Sequence, residues 1–139
     1  MDELSLTLAN QIIAAAVAEA RQRGFKPMAV VVVDASGHVK AMQRDDGASM
    51  FRIDIACGKA WAAVAMGLPS RVLVQRAADN PNFYAALAAA GQGKFIPQTG
   101  AVLIKDASGR ILGAAGASGG TGDEDEAICL HGVAEAGLA

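Results

Sequence analysis

A chain of 139 residues, 53% of them hydrophobic and with a formal net charge of −2, suits one domain (residues 1–139) with a single core and is too apolar for global disorder. Acidic and basic residues are interspersed, with no basic patch or aromatic-basic interleaving, which argues against nucleic acid as a partner. No apolar run approaches the roughly 20 residues that span a bilayer, which argues against a membrane. The acidic start Met1-Asp2-Glu3 is unlike a signal peptide, so a cytoplasmic location is the default.

Aromatic residues make up only 4%, and the abundant alanine points to closely packed helices. Cys57 and Cys129 fall inside expected helices and form no CxxC, so two buried, reduced thiols are expected rather than a disulfide or a metal site.

The first helix is expected from about Leu8 to Arg23, with Thr7 as N-cap and Gly24 just past its end. Met28 to Asp34 reads as a strand. Its unbroken Val30–Val33 run implies burial on both faces, hence a central strand. Asp34-Ala35-Ser36-Gly37 is the turn, with Gly37 in the left-handed conformation, and His38 to Arg44 is the return strand. A polar loop follows, and Ser49 is the expected cap of a helix from Met50 to about Met66. Arg52 and Lys59, seven residues apart, share one face of that helix, away from its apolar stripe. Gly67 and Pro69 end it. Ser70 is expected to cap a short helix, Arg71 to Ala78. Pro81 suits the first turn of the next, which runs to about Ala90. Phe95 to Thr99 reads as a short edge strand, where Pro97 is tolerable.

A second hairpin begins at Ala101. Its turn repeats the tetrapeptide Asp-Ala-Ser-Gly at Asp106–Gly109, and its return strand is expected over Arg110 to Ala115. Gly116 to Gly122 is expected as a loop, and Asp123 opens the last helix, which ends near Gly137. The order implies an α+β fold: a single antiparallel sheet of about five strands, two β-hairpins plus an edge strand, flanked by helices on both faces.

A glycine-rich segment between a strand and a helix is where anions bind. This one has neither GxGxxG nor GxxxxGK, and Asp123, Glu124, Asp125 and Glu126 follow at once, which disfavours a phosphate. Its spacing is not that of an EF-hand, so no metal is expected. The candidate acids for proton transfer are Asp46, Asp123, Glu124 and Asp125. The candidate ligand-binding residues are Arg44, Arg52, Lys59, Ser118, Gly119, Gly120, Thr121 and His131. The expectation is that these polar groups gather at one end of the sheet, with the glycine-rich loop walling a pocket with Arg52 and Lys59.

Several stretches carry a resemblance to a known family. They are Leu6-Thr7-Leu8; Val32-Val33-Asp34-Ala35-Ser36-Gly37; Gln43-Arg44-Asp45-Asp46-Gly47-Ala48; Asp54-Ile55-Ala56; Lys59-Ala60-Trp61; Leu112 to Thr121; and Asp125-Glu126-Ala127. Over nearly its whole length the chain resembles the GlcG/HbpS-like family, which includes the C-terminal domain of PduO-type proteins. The resemblance implies an antiparallel sheet flanked by helices, homo-oligomers, and a small-molecule ligand that in some members is haem. A haem iron is usually held by histidine, thiolate, methionine or tyrosine. Neither the first helix nor the loop before the last helix carries a histidine, so His38, His131 and the five methionines are the main candidates, and none lies on a matched family motif. Two functions are therefore expected: a protein binding haem, another tetrapyrrole or another small molecule, or a cofactor-independent isomerase, tautomerase or hydratase acting on a small catabolic metabolite.

Overall fold

The computed structural model describes residues 3–139; the acidic start Met1-Asp2 lies outside the described residues. The elements in chain order are α1 (Leu6–Gln22), β1 (Ala29–Asp34), β2 (Val39–Arg44), α2 (Phe51–Met66), α3 (Ser70–Asp79), α4 (Pro81–Ala90), β3 (Ala101–Lys105), β4 (Ile111–Ser118) and α5 (Gly122–Glu135). The four strands form one antiparallel sheet in the order β2-β1-β4-β3. The continuous valine run is central, as its burial pattern requires.

Each Asp-Ala-Ser-Gly turn is built the same way. The Oδ1 of Asp34 accepts from the backbone N–H of Ser36 (2.9 Å) and of His38 (3.0 Å). Asp106 Oδ1 accepts from Ser108 (2.9 Å) and Arg110 (3.0 Å). Gly37 and Gly109 take φ of +83° and +86°, where a side chain would strain the backbone. Each turn is followed by a register shift in its ladder, as expected for a turn closed by a bulge.

The alternation of β1 separates two cores. Val30 and Val32 face α1 and α5, together with Ile12, Ile13, Val102 and Ile104. Ala29, Val31 and Val33 face α2, with Ala56, Ala60 and Ala114. Alanine and glycine bring α2 against the sheet: a Cβ on Gly116 would strike the Ala56 carbonyl and sit 3.1 Å from Ala60 Cβ. Outside α2, Trp61, Leu73, Tyr84 and Phe95 build a third, smaller cluster with α3 and α4.

Several local expectations are corrected. Residues 95–99 are not a fifth strand. Phe95 is buried against Trp61 and Tyr84, and the Ile96 N–H donates to the Gly58 carbonyl of α2 (3.3 Å), so the segment is spent on the helix and not on the sheet edge. β4 continues through Gly116 and Ala117 to Ser118, because Ala29, Val30 and Val31 of β1 pair with those residues. The loop is thus only residues 119–121. Ser5, not Thr7, caps α1, its Oγ accepting from the Leu8 N–H (3.1 Å). No side-chain cap from Ser49 precedes α2. Ser70 is the first residue of α3 and is buried; its Oγ accepts from the N–H groups of Gly100 and Ala101 and donates to the Ala101 carbonyl. Of the two thiols Cys129 is buried, but Cys57 is only half-buried.

Candidate functional site

Both turns lie at one end of the sheet. At the other end, the last residues of β4 meet the flank of α2 and the first turn of α5. Helical spacing places Arg52, Ile55 and Lys59 on that flank of α2, and Thr121 starts α5 with a capping box. Its Oγ1 accepts from the Glu124 N–H (3.2 Å), and the Glu124 carboxylate accepts from the Thr121 N–H (3.0 Å). This fixes Asp125 inward.

Lys59 and Asp125 form a buried ion pair, 5% and 2% exposed. Lys59 Nζ donates to Asp125 Oδ2 (3.0 Å) and to the Ala117 carbonyl (3.0 Å). The Gly120 N–H donates to Asp125 Oδ1 (2.9 Å), so both carboxylate oxygens are satisfied. Burial pushes the Asp125 carboxyl above its ordinary value, against the opposing pull of Lys59, the Gly120 N–H and Arg52. Gly100 closes over the pair: at φ +137°, a Cβ there would stand 2.7 Å from Lys59 Nζ and 3.0 Å from Asp125 Cβ. The neighbouring Cys129 donates to the Gly100 carbonyl (3.7 Å), and burial raises its thiol well above the ordinary range, so it is a packed group and not a nucleophile.

Arg52 lies at the junction of two adjoining open clefts. Nη1 donates to the buried Ser118 Oγ (3.2 Å). One cleft, about 420 Å3, runs along Lys59, Gln98, Thr99, Ser118 and Gly120. The other, about 490 Å3, runs along Phe25, Lys26, Gly119, Thr121 and Glu124. Both volumes fall in the range of small-molecule sites. Gly119 and Gly120 keep this wall thin. A Cβ on Gly119 would meet the Pro27 carbonyl, and one on Gly120 would stand 2.6 Å from Glu124 Oε1.

The structure therefore brings together Arg52, Lys59, Ser118, Gly119, Gly120, Thr121, Glu124 and Asp125. It does not bring in the other candidates. Arg44 Nη1 donates to the Ala48 carbonyl (2.6 Å) and holds the loop before α2. Asp46 lines a separate cleft with Arg21 and Asp45. Asp123 is exposed and paired, with Glu126, to Arg71 of α3. His131 stands 3.7 Å from Glu19 across the α1–α5 contact. Sequence reasoning missed Gln98 and Thr99, which enter from the segment read as an edge strand, and Gly100, which follows it. It also missed the capping box, although Thr121-Gly122-Asp123-Glu124 carries its T-x-x-E signature.

The family model for "Haem degrading protein HbpS-like" matches residues 4–134. The chain belongs to the HbpS-like family. Solved structures agree with that membership. The haem complex of PduOC is 29% identical, with a TM-score of 0.87, covering 99% of this chain and 98% of that one. A double mutant of Streptomyces reticuli HbpS is 29% identical with a TM-score of 0.83, covering 96% of this chain and 87% of the other. Klebsiella pneumoniae protein ORFY is 25% identical with a TM-score of 0.86, covering 99% and 93%. No curated protein matches the chain. Among the described residues, no helix of this HbpS-like chain is long and apolar enough to cross a membrane.

Proposed function

We propose that this HbpS-like protein binds small molecules, and that the cleft around Arg52 receives a ligand bearing a carboxylate. The observation that carries this reading is Arg52 itself, a guanidinium at the junction of two open clefts, steadied by its hydrogen bond to Ser118. Arginine donors match a carboxylate's geometry, and a part-covered site strengthens the pair. The Lys59–Asp125 pair supports the wall without offering a charge, since the two neutralise each other. The test is a thermal-shift series with glycolate, lactate and succinate as probes. At saturating probe the wild type gains stability by ligand linkage, while Arg52→Ala loses that gain. Absence of a shift with every probe in the wild type overturns the reading.

A second reading, haem or another tetrapyrrole as ligand, is favoured by the likeness to the PduOC haem complex over nearly the whole of both chains. Bound haem would supply an iron centre open to axial ligation. The residues lining the two Arg52 clefts include no histidine, cysteine, methionine or tyrosine, so that site does not fit haem iron. Titration of the purified protein with haem, read at the Soret band, tests this reading. An unshifted band at stoichiometric haem removes it. A homo-oligomer in the cytoplasm belongs to the same proposal, and sedimentation velocity checks the assembly.

The enzymatic alternative finds no support in the relatives, and the three candidate acids of α5 have other duties. Glu124 caps α5, Asp123 pairs with Arg71, and both oxygens of Asp125 are taken.

A further inference from the structure

The opposite flank of α2 carries what the Arg52 cleft lacks. Between the β1–β2 turn, α2 and Gly93-Lys94 lies an open cleft of about 530 Å3. Its apolar walls come from β2 and α2. Val39 of β2 and Phe51 of α2 are 47% and 62% exposed, large apolar side chains left uncovered within the chain. Trp61 closes the far end, where a Cβ on Gly37 would stand 3.0 Å from the indole. At the rim sits His38, its side chain 83% exposed.

Resting on the tetrapyrrole reading above, we propose that this cleft is a haem site, with His38 as the axial ligand to iron, Val39, Phe51 and Trp61 as apolar walls, and Lys94 as the counter-charge to a propionate. Nδ1 of the imidazole lies 4.0 Å from Asp34 Oδ1. Asp34 is itself fixed, because the same Oδ1 accepts two backbone N–H groups of the turn. Cys57 lines the same cleft but is the weaker candidate. Burial and the nearby Asp54 carboxylate raise its thiol above the ordinary value, and only a thiolate ligates well. Lys94 makes no salt bridge with any described residue and is the basic side chain among the lining residues, against the single acid Asp54. The cleft thus combines one nitrogen ligand, flat apolar walls and one cation, which are the three chemistries of a haem face.

The experiment is haem titration of the wild type, His38→Ala and His131→Ala, followed by visible absorption and electron paramagnetic resonance, with metal-free protoporphyrin as a parallel probe. The wild type and His131→Ala are expected to give the same shifted Soret band. His38→Ala is expected to lose the imidazole–iron signature and to bind haem about a hundredfold more weakly, the upper end of what even indirect support of a metal ligand costs. It keeps its protoporphyrin affinity, and added imidazole restores the signature. The exposed side chain makes this variant safe for folding. A wild-type spectrum and affinity in His38→Ala overturn the site while leaving the tetrapyrrole reading intact. No Soret shift in the wild type overturns both.

Discussion

At the scale of single residues, the Lys59–Asp125 pair dominates the energetics of the cleft wall. Taking two charges out of water is costly, and here the cost is offset by three hydrogen bonds of 2.9–3.0 Å. Removing one partner leaves the other buried and uncompensated. Lys59→Met is therefore expected to cost about 3–5 kcal/mol in urea unfolding, whereas Lys59→Met with Asp125→Leu recovers most of that loss. A single and a double variant of equal stability would mean the pair is solvated. Neither charge is visible as buried from sequence. Lys59 stands on a helix face that reads as solvated until α5 closes over it, and Asp125 sits in an acidic run whose four members read alike. The four diverge only through local geometry: one caps, two pair with Arg71, and one turns inward.

At the scale of elements, the hairpins were the most legible part. The repeated Asp-Ala-Ser-Gly carries its own hydrogen-bond pattern, so the turn is settled by four residues and needs no tertiary partner. The continuous valines likewise announced a strand covered on both faces. What sequence left hidden depends on contacts between distant segments. Residues 95–99 have strand-like composition, yet α2 supplies their partner. Ser70 looks like a cap, yet its hydroxyl reaches across to residues 100 and 101 at the start of β3. Ser70→Ala orphans two buried N–H groups and is expected to cost about 1–3 kcal/mol, read by denaturant midpoint, with the loss of protection localised by hydrogen exchange at Gly100 and Ala101. The glycine-rich stretch was read as loop because glycine is poor in strands, but Gly116 is in β4 for the close approach of α2. Gly116→Ala forces the helix off the strand and is expected to lose about 1–3 kcal/mol through overpacking. A neutral result would show that α2 rides higher on the sheet.

At the scale of the whole molecule, acid titration separates surface pairs from the buried one. The hydrogen bond and charge of Arg21 hold the Asp45 carboxyl below its ordinary value, and the Ser108 and backbone donors of its turn do the same for Asp106. A lowered carboxylate contributes stability that is present above the ordinary carboxylate range and is lost as pH falls through its native value. Asp125 is raised, so its sign is opposite: its contribution is present below the ordinary value and is lost as pH rises through the native one. Acid unfolding is thus driven from the α1-to-loop contact and the turns, not from the cleft. Asp45→Asn is expected to lower the urea midpoint at pH 7, with the wild-type and variant curves converging as the pH drops below the ordinary carboxylate range. Parallel curves down to pH 3 would count against the Arg21–Asp45 pair as the source. One contact at this scale has a practical side. Trp61 is the chain's single tryptophan, edge-on to Phe95 with ring centroids 6.5 Å apart and closed by Gly37. Its emission is therefore a one-residue optical signal. Any separation of the first hairpin from the outer helical layer registers there without a label, and so does filling of the space between them.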